Sequence, residues 1–288
     1  MTAKEIAITL EHQRLAGLEW GPEDGPPVLA LHGWLDNAAT FATLAPRLDG
    51  LRVLALDLEG HGRSGHRSPG VGHHFVDWVP QVIEAADALG LERFALVGHS
   101  MGAGIASLVP AAAPGRVTRL VLLEGGGPLA SPPAEAPTLL RLALGDEHRV
   151  AMAAARVHPD LASAVEARCQ NTDLDAVSGQ LLVERSLEAV DGGYRFSFDP
   201  RLRTRSRWRF TEEQVLAFLT AIDCPVLAVR ARSGWPFPPD EMERRLAAIP
   251  DLVRVEVNGG HHVHLTHPER IASELLVFLR PEATAPSE

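Results

Sequence analysis

Short apolar runs at 28–31, 53–56, 94–97, 120–123 and 226–229 punctuate the chain, each continuous rather than alternating. Such runs fit strands covered on both faces, as in a parallel sheet with helices on either side. The stretch VRVEV at 253–257 does alternate, which predicts a strand nearer the sheet edge. Residues 5–20 read as two strands paired in an N-terminal hairpin. Between the runs lie helical patterns, at 79–89 ending on Gly90 as a C-cap and at 102–113. Alternation of this kind predicts an α/β fold. The rhythm breaks at 128–209, which opens with Pro128, Pro132, Pro133 and Pro137. Helical patterns follow at 139–144, 147–157, 161–168 and 174–189, without a buried strand. Residues 1–127 and 210–288 are therefore expected to form one core, and 128–209 a helical cap inserted between two of its strands. The closing PEATAPSE is expected to fray.

The run at 94–97 leads into Gly98-His99-Ser100-Met101-Gly102, a G-x-S-x-G pattern set between a strand and a helix. A serine on so sharp a turn stands with its Oγ clear of the sheet, and glycines keep the neighbouring backbones from colliding. Its hydroxyl is a poor nucleophile until a base takes the proton and an acid orients that base. The base is expected late in the chain, and NGGHHVH at 258–264 follows the last strand. His261, directly after two glycines, is the expected base, with His262 and His264 as rivals. An oxyanion hole needs two backbone N–H groups. Met101 supplies one, and Trp34, in the loop HGWLDN after the 28–31 run, supplies the other.

These stretches resemble the α/β-hydrolase superfamily. The resemblance rests on LHGW at 31–34, DLEGHGRS at 57–64, GHSMG at 98–102 and GGHHVHLTHPE at 259–269, which span nearly the whole chain in order. HGWLDNAATF at 32–41 is similar to the serine hydrolase-like subgroup. The resemblance implies a mostly parallel sheet flanked by helices, with a cap at the observed break. It also places an acid a few residues after the 226–229 strand, where this chain reads RARSGWP and carries no aspartate. Some relatives, notably haloalkane dehalogenases, carry the acid at the end of the strand that here closes on Glu124. Glu124 is therefore the expected orienting acid, with Asp240, Glu241 and Asp36 behind it. A serine nucleophile argues against dehalogenase or epoxide-hydrolase chemistry, for which those relatives use aspartate.

The expected activity is hydrolysis of a carboxylic ester through an acyl-enzyme, without a cofactor or metal. Peptidase, carbon–carbon hydrolase and perhydrolase chemistry, and a ligand-binding role without turnover, stand as alternatives. Hydrophobic residues make up 45% of the chain and charged residues 22%, as in ordinary globular proteins. The net charge of −10 argues against nucleic acid or an anionic membrane as partner, and a small molecule is expected instead. No stretch approaches the roughly 20 apolar residues of a membrane helix. MTAKEIAITLEHQRL lacks the apolar core of a secretory leader, so a cytoplasmic location is expected. Cys169 and Cys224 lack metal spacing, and Cys224 reads as a buried thiol. His61 is a weaker catalytic candidate. Arg201, Arg203, Arg205, Arg207 and Arg209 alternate and would share one face of an extended chain, reading as an ion-paired edge before an anion site. Trp34, Trp208, Trp235 and Phe237 are candidates for an apolar pocket lining.

Overall fold

The computed structural model describes residues 2–170 and 172–280, so the PEATAPSE tail lies outside the described residues. Its centre is an eight-stranded sheet in the order β1-β2-β4-β3-β5-β6-β9-β10. The strands are β1 (Lys4–Thr9), β2 (Arg14–Trp20), β3 (Pro27–Leu31), β4 (Arg52–Leu56), β5 (Phe94–His99), β6 (Val117–Leu123), β9 (Val226–Ser233) and β10 (Leu252–Gly260). In this sheet the hairpin β1–β2 and the pair β2–β4 are antiparallel, and the other pairings are parallel. The continuous apolar runs are explained by this burial. Leu29, Leu31, Leu54, Leu56, Leu96, Leu120 and Leu122 face one apolar cluster, while Val28, Ala30, Val53, Ala55, Val97 and Val121 face a second across the sheet. VRVEV falls in β10, the edge strand.

Chain order reverses between β3 and β5: β4 pairs on one side of β3 and β5 on the other. In open α/β sheets such a reversal leaves a crevice beyond the carboxyl ends of the strands, where ligands bind. The loop after β3 and the turn after β5 both open into it.

Helices α1 (Trp78–Ala88), α2 (Met101–Ala106), α3 (Val109–Ala112), α8 (Pro239–Ala247), α9 (Val263–Thr266) and α10 (Ala272–Leu279) accompany the sheet. The single helix expected at 102–113 is broken into α2 and α3. Pro110 has no N–H to give the Ala106 carbonyl, and α2 ends at Ala106.

Between β6 and β9 the chain forms α4 (Ala136–Met152), α5 (Leu161–Cys169), α6 (Ala176–Ser186), a hairpin of β7 (Leu187–Val190) and β8 (Gly193–Phe196), and α7 (Glu212–Thr220). This differs from the sequence reading in three places. The patterns at 139–144 and 147–157 are one helix, which passes through Gly145 and stops at Met152. The expected helix at 174–189 stops at Ser186, because 187–190 pairs with 193–196 across Asp191-Gly192. Asp-Gly is a strong two-residue hairpin signal, and Gly192 takes a φ of 83°. The alternating arginines do not lie on one extended strand either, since Pro200–Arg203 is a 3₁₀ turn. Arg201, Arg205 and Arg207 pair with Asp199, Asp146 and Glu147, and Arg203 lies over the Phe198 ring. Among the described residues no helix is long and apolar enough to cross a membrane.

Candidate active site

Ser100 sits between β5 and α2 with φ 53° and ψ −114°, a conformation that L-residues rarely adopt. It is held there by its own N–H, which donates to the Leu123 carbonyl of the next strand at 2.9 Å. The flanking glycines follow from close approach: a Cβ on Gly98 would overlap the Gly102 carbonyl, and one on Gly102 the Leu31 carbonyl. Among the described residues, the non-glycine positions with positive φ are Leu35, Ser100 and Glu124. Strain of this kind costs on the order of 1–3 kcal/mol per residue and collects where geometry is functionally constrained. Ser100 and Glu124 directly follow β5 and β6, and Leu35 lies in the loop after β3.

His261 follows β10, and its Nε2 lies 2.9 Å from Ser100 Oγ. Its Nδ1 lies 3.3 Å from Glu124 Oε2, near the long edge of the hydrogen-bond range. A carboxylate only accepts, so the proton of a neutral His261 resides on Nδ1, leaving Nε2 free to accept from the serine hydroxyl. Glu124 is 1% exposed. Its Oε1 accepts from the Ala231 N–H at 2.6 Å and its Oε2 from the Trp235 N–H at 2.9 Å. The stretch 230–235, which lacks its own aspartate, is not the loop the sequence suggested but the end of β9 and the turn after it, and it wraps around a glutamate from the neighbouring strand. A Cβ on Gly234 would overlap that carboxylate.

The other histidines are engaged elsewhere. His262 Nδ1 lies 2.5 Å from Asp173 Oδ1 and its Nε2 3.5 Å from Asp36 Oδ2. Burial works to lower its pKa, but the two carboxylates outweigh burial and raise it to about 9. His264 is fully buried and bonds Thr40 Oγ1 at 2.8 Å; burial, with His262 beside it, pushes it down to about 3. His61 is buried against His32 and Trp78, and burial first, then His32, hold it well below the ordinary range. Asp36 pairs with Arg168 as well as His262. Burial favours its neutral form, yet the attraction of His262 prevails, with Arg168 in support, and holds it well below the usual carboxylate range. Asp240 and Glu241 open α8, where Glu241 meets Arg245 at 2.9 Å.

Met101 is the first residue of α2, directly after the serine. Trp34 lies in the loop after β3, beside Gly33, where an added Cβ would come within 3.3 Å of Ser100 Cβ. The Gly33 carbonyl lies 2.7 Å from His32 Nδ1 and accepts from the Asp36 N–H at 3.1 Å. His32 Nε2 accepts from the Leu58 N–H, so Nδ1 carries the proton. In a trans peptide C=O and N–H point oppositely, so pinning this carbonyl also fixes the direction of the Trp34 N–H.

Of the aromatic candidates, Trp235 lies 5.7 Å from the His261 ring, and the Trp34 indole donates to the Leu202 carbonyl at 2.9 Å. Trp208 instead packs on Phe210, and Phe237 lies under Arg230. His99 was not a sequence candidate. It is fully buried, and its Nε2 donates to the His261 carbonyl at 2.9 Å, tying the serine turn to the histidine turn. Asp173 was missed as well; it lies 89 residues from its partner His262, and no local pattern links them.

The fold has many counterparts. A family model described as alpha/beta hydrolase fold matches residues 26–268. A serine hydrolase-like protein of Danio rerio is 33% identical, covering 99% of this chain and 91% of that protein. A hypothetical protein from Pseudomonas aeruginosa superposes with a TM-score of 0.87 at 39% identity, covering 96% of this chain and 97% of that one. The thioesterase domain from the curacin biosynthetic pathway gives 0.83 at 27% identity, covering 96% of this chain and all of that domain (100%). The strand order, the strained serine turn and these matches agree: this chain belongs to the α/β-hydrolase superfamily and is similar to its serine hydrolase-like proteins.

Proposed function

We propose that this protein is a serine hydrolase that cleaves carboxylic esters through an acyl-enzyme. The observation that carries this reading is the 2.9 Å separation between His261 Nε2 and Ser100 Oγ. Ser100 attacks the ester carbonyl while His261 takes its proton. Glu124 keeps the imidazole in the required tautomer and stabilises the imidazolium that forms. The Trp34 and Met101 amides donate to the oxyanion of the tetrahedral intermediate. His261 then protonates the leaving alcohol, and a water activated by the same imidazole releases the acid.

Residues 128–209 act as a cap over this crevice. Supporting this, Asn37 Nδ2 donates to the Leu182 carbonyl and to Ser186 Oγ, and the Trp34 indole to Leu202. The loop that carries one oxyanion donor is thereby tied to the inserted segment. A thioester presents the same carbonyl, and the likeness to a thioesterase domain makes thioesters part of the test.

The test is a fluorophosphonate probe together with a panel of p-nitrophenyl esters and acyl thioesters of varied length. Wild type should label and turn over at least one member, and Ser100→Ala should do neither. An unlabelled wild type inert to the whole panel would favour a binding role.

A further inference from the structure

The turn that carries His261 is held from outside the sheet. Asp173 lies between α5 and α6, in the segment inserted after β6. Its Oδ2 accepts from the His262 N–H at 2.8 Å, and its Oδ1 lies 2.5 Å from His262 Nδ1. The same carboxylate packs against Gly260, where a Cβ would overlap Oδ2. One side chain therefore touches the residue before His261 and the residue after it. The next residue, Leu174, is buried against Leu182 and Leu265, so an apolar contact anchors this carboxylate at the histidine turn.

The contact is electrostatically closed. The ring of His262 faces Asp173 from the inserted segment and Asp36 from the loop after β3, with Arg168 of α5 on the far side of Asp36. The other groups around it are the rings of His99, His261 and His264, at 5.3, 5.2 and 6.3 Å. Hydrogen bonds from His262 outweigh the effect of burial on Asp173 and lower its pKa to about 2. Asp173 thus stays ionised, and His262 cationic, throughout the neutral range.

We propose that Asp173 is a positioning residue for His261: it seats the backbone on both sides of the base and makes the base's place depend on where the inserted segment sits. This rests on the reading of His261 as the base of a serine hydrolase. The physical reason for an effect on turnover is distance. A base displaced by about 1 Å from its nucleophile can cost a hundredfold in rate. The hydrogen bonds of the Asp173 carboxylate go to His262 and not to Ser100, Trp34 or Met101, so its loss should act on the chemical step before substrate affinity.

The experiment compares the second-order rate of fluorophosphonate labelling, kcat, KM and melting temperature for wild type, Asp173→Ala and Asp173→Asn. The alanine variant should label about tenfold to a hundredfold more slowly, with kcat falling in parallel and KM little changed. The asparagine variant keeps an oxygen to accept from the His262 N–H and should recover part of the rate. Labelling of Asp173→Ala within about twofold of wild type, or a loss confined to KM, overturns the proposal. Should the alanine variant not fold, Asp173→Asn carries the test. Slower labelling at an unaltered melting temperature supports the proposal, and a wild-type rate overturns it. A wild type that resists the probe and turns over no ester or thioester of the panel overturns the hydrolase reading and this proposal with it. A labelled wild type matched by its Asp173 variants overturns this proposal alone.

Discussion

At Glu124 the main chain turns through φ 53° immediately after β6, and the carboxylate meets the end of β9 and the turn after it. Its backbone N–H remains bonded to the Val229 carbonyl of β9, so the side chain is aimed by the sheet itself. The carboxylate's two backbone donors, on Ala231 and Trp235, leave Oε2 facing the histidine ring. Glu124→Gln preserves shape but offers an amide that can donate to Nδ1, which would place the imidazole proton on Nε2 and block it as a base. Hydrolysis by this variant should fall by on the order of a thousandfold or more, with the melting transition retained. Steady-state ester turnover beside a thermal melt checks this. Turnover near the wild-type rate would show that Glu124 does not orient the base.

Among the elements, the end of β9 and the turn after it have to wrap a foreign carboxylate, and that requirement falls on Gly234. Adding a methyl group there forces either the turn or Glu124 to move. Gly234→Ala should cost about 1–3 kcal/mol of stability, the range for overpacking, and should lower kcat more than it changes KM. Urea unfolding and ester kinetics read the two effects. The elements themselves were largely legible. Continuous apolar runs announced β3, β4, β5, β6 and β9, and alternation announced the edge position of β10. The hairpin β7–β8 escaped because the helical pattern at 174–189 ran on past Ser186 into β7, up to the Asp191-Gly192 turn. The break between α2 and α3 was missed by the reading of one helix at 102–113, although Pro110, whose missing N–H interrupts the ladder, carries the signal for it.

Across the whole molecule, buried imidazoles couple stability to pH. His264 is pushed down to about 3, and His32, His61 and His99 are also lowered, with burial the largest cause for each. An imidazole whose folded pKa lies below its unfolded value favours folding above that unfolded value, about 6.5. Its contribution is lost as pH falls through the folded pKa. Stability should therefore begin to decline as pH drops below about 6.5, before ordinary carboxylates titrate. His262 has the opposite sign. Its folded pKa of about 9 is raised, so its contribution is complete below about 6.5 and disappears as pH rises through 9. Melting temperature measured from pH 4 to 10 should peak in the neutral range and fall on both sides. A profile flat from pH 6.5 to 4.5 would contradict the acid limb.

The sequence alone determined what depends on neighbours along the chain. Buried strands are read from apolar runs, the serine turn from glycines that only close backbone approach requires, and the histidine turn from its place after the last strand. Ser100 and His261 were named this way. Glu124 was named only through its strand-end position and the family resemblance. Tertiary structure decided which of three closely spaced imidazoles reaches the serine, how the end of β9, which carries no acid, surrounds a glutamate from β6, and that Asp173 meets the histidine turn. These contacts join residues distant in sequence, such as Glu124 and His261, separated by 137 positions. They follow from strand order, register and the docking of the inserted segment, and none of these leaves a local spacing to read.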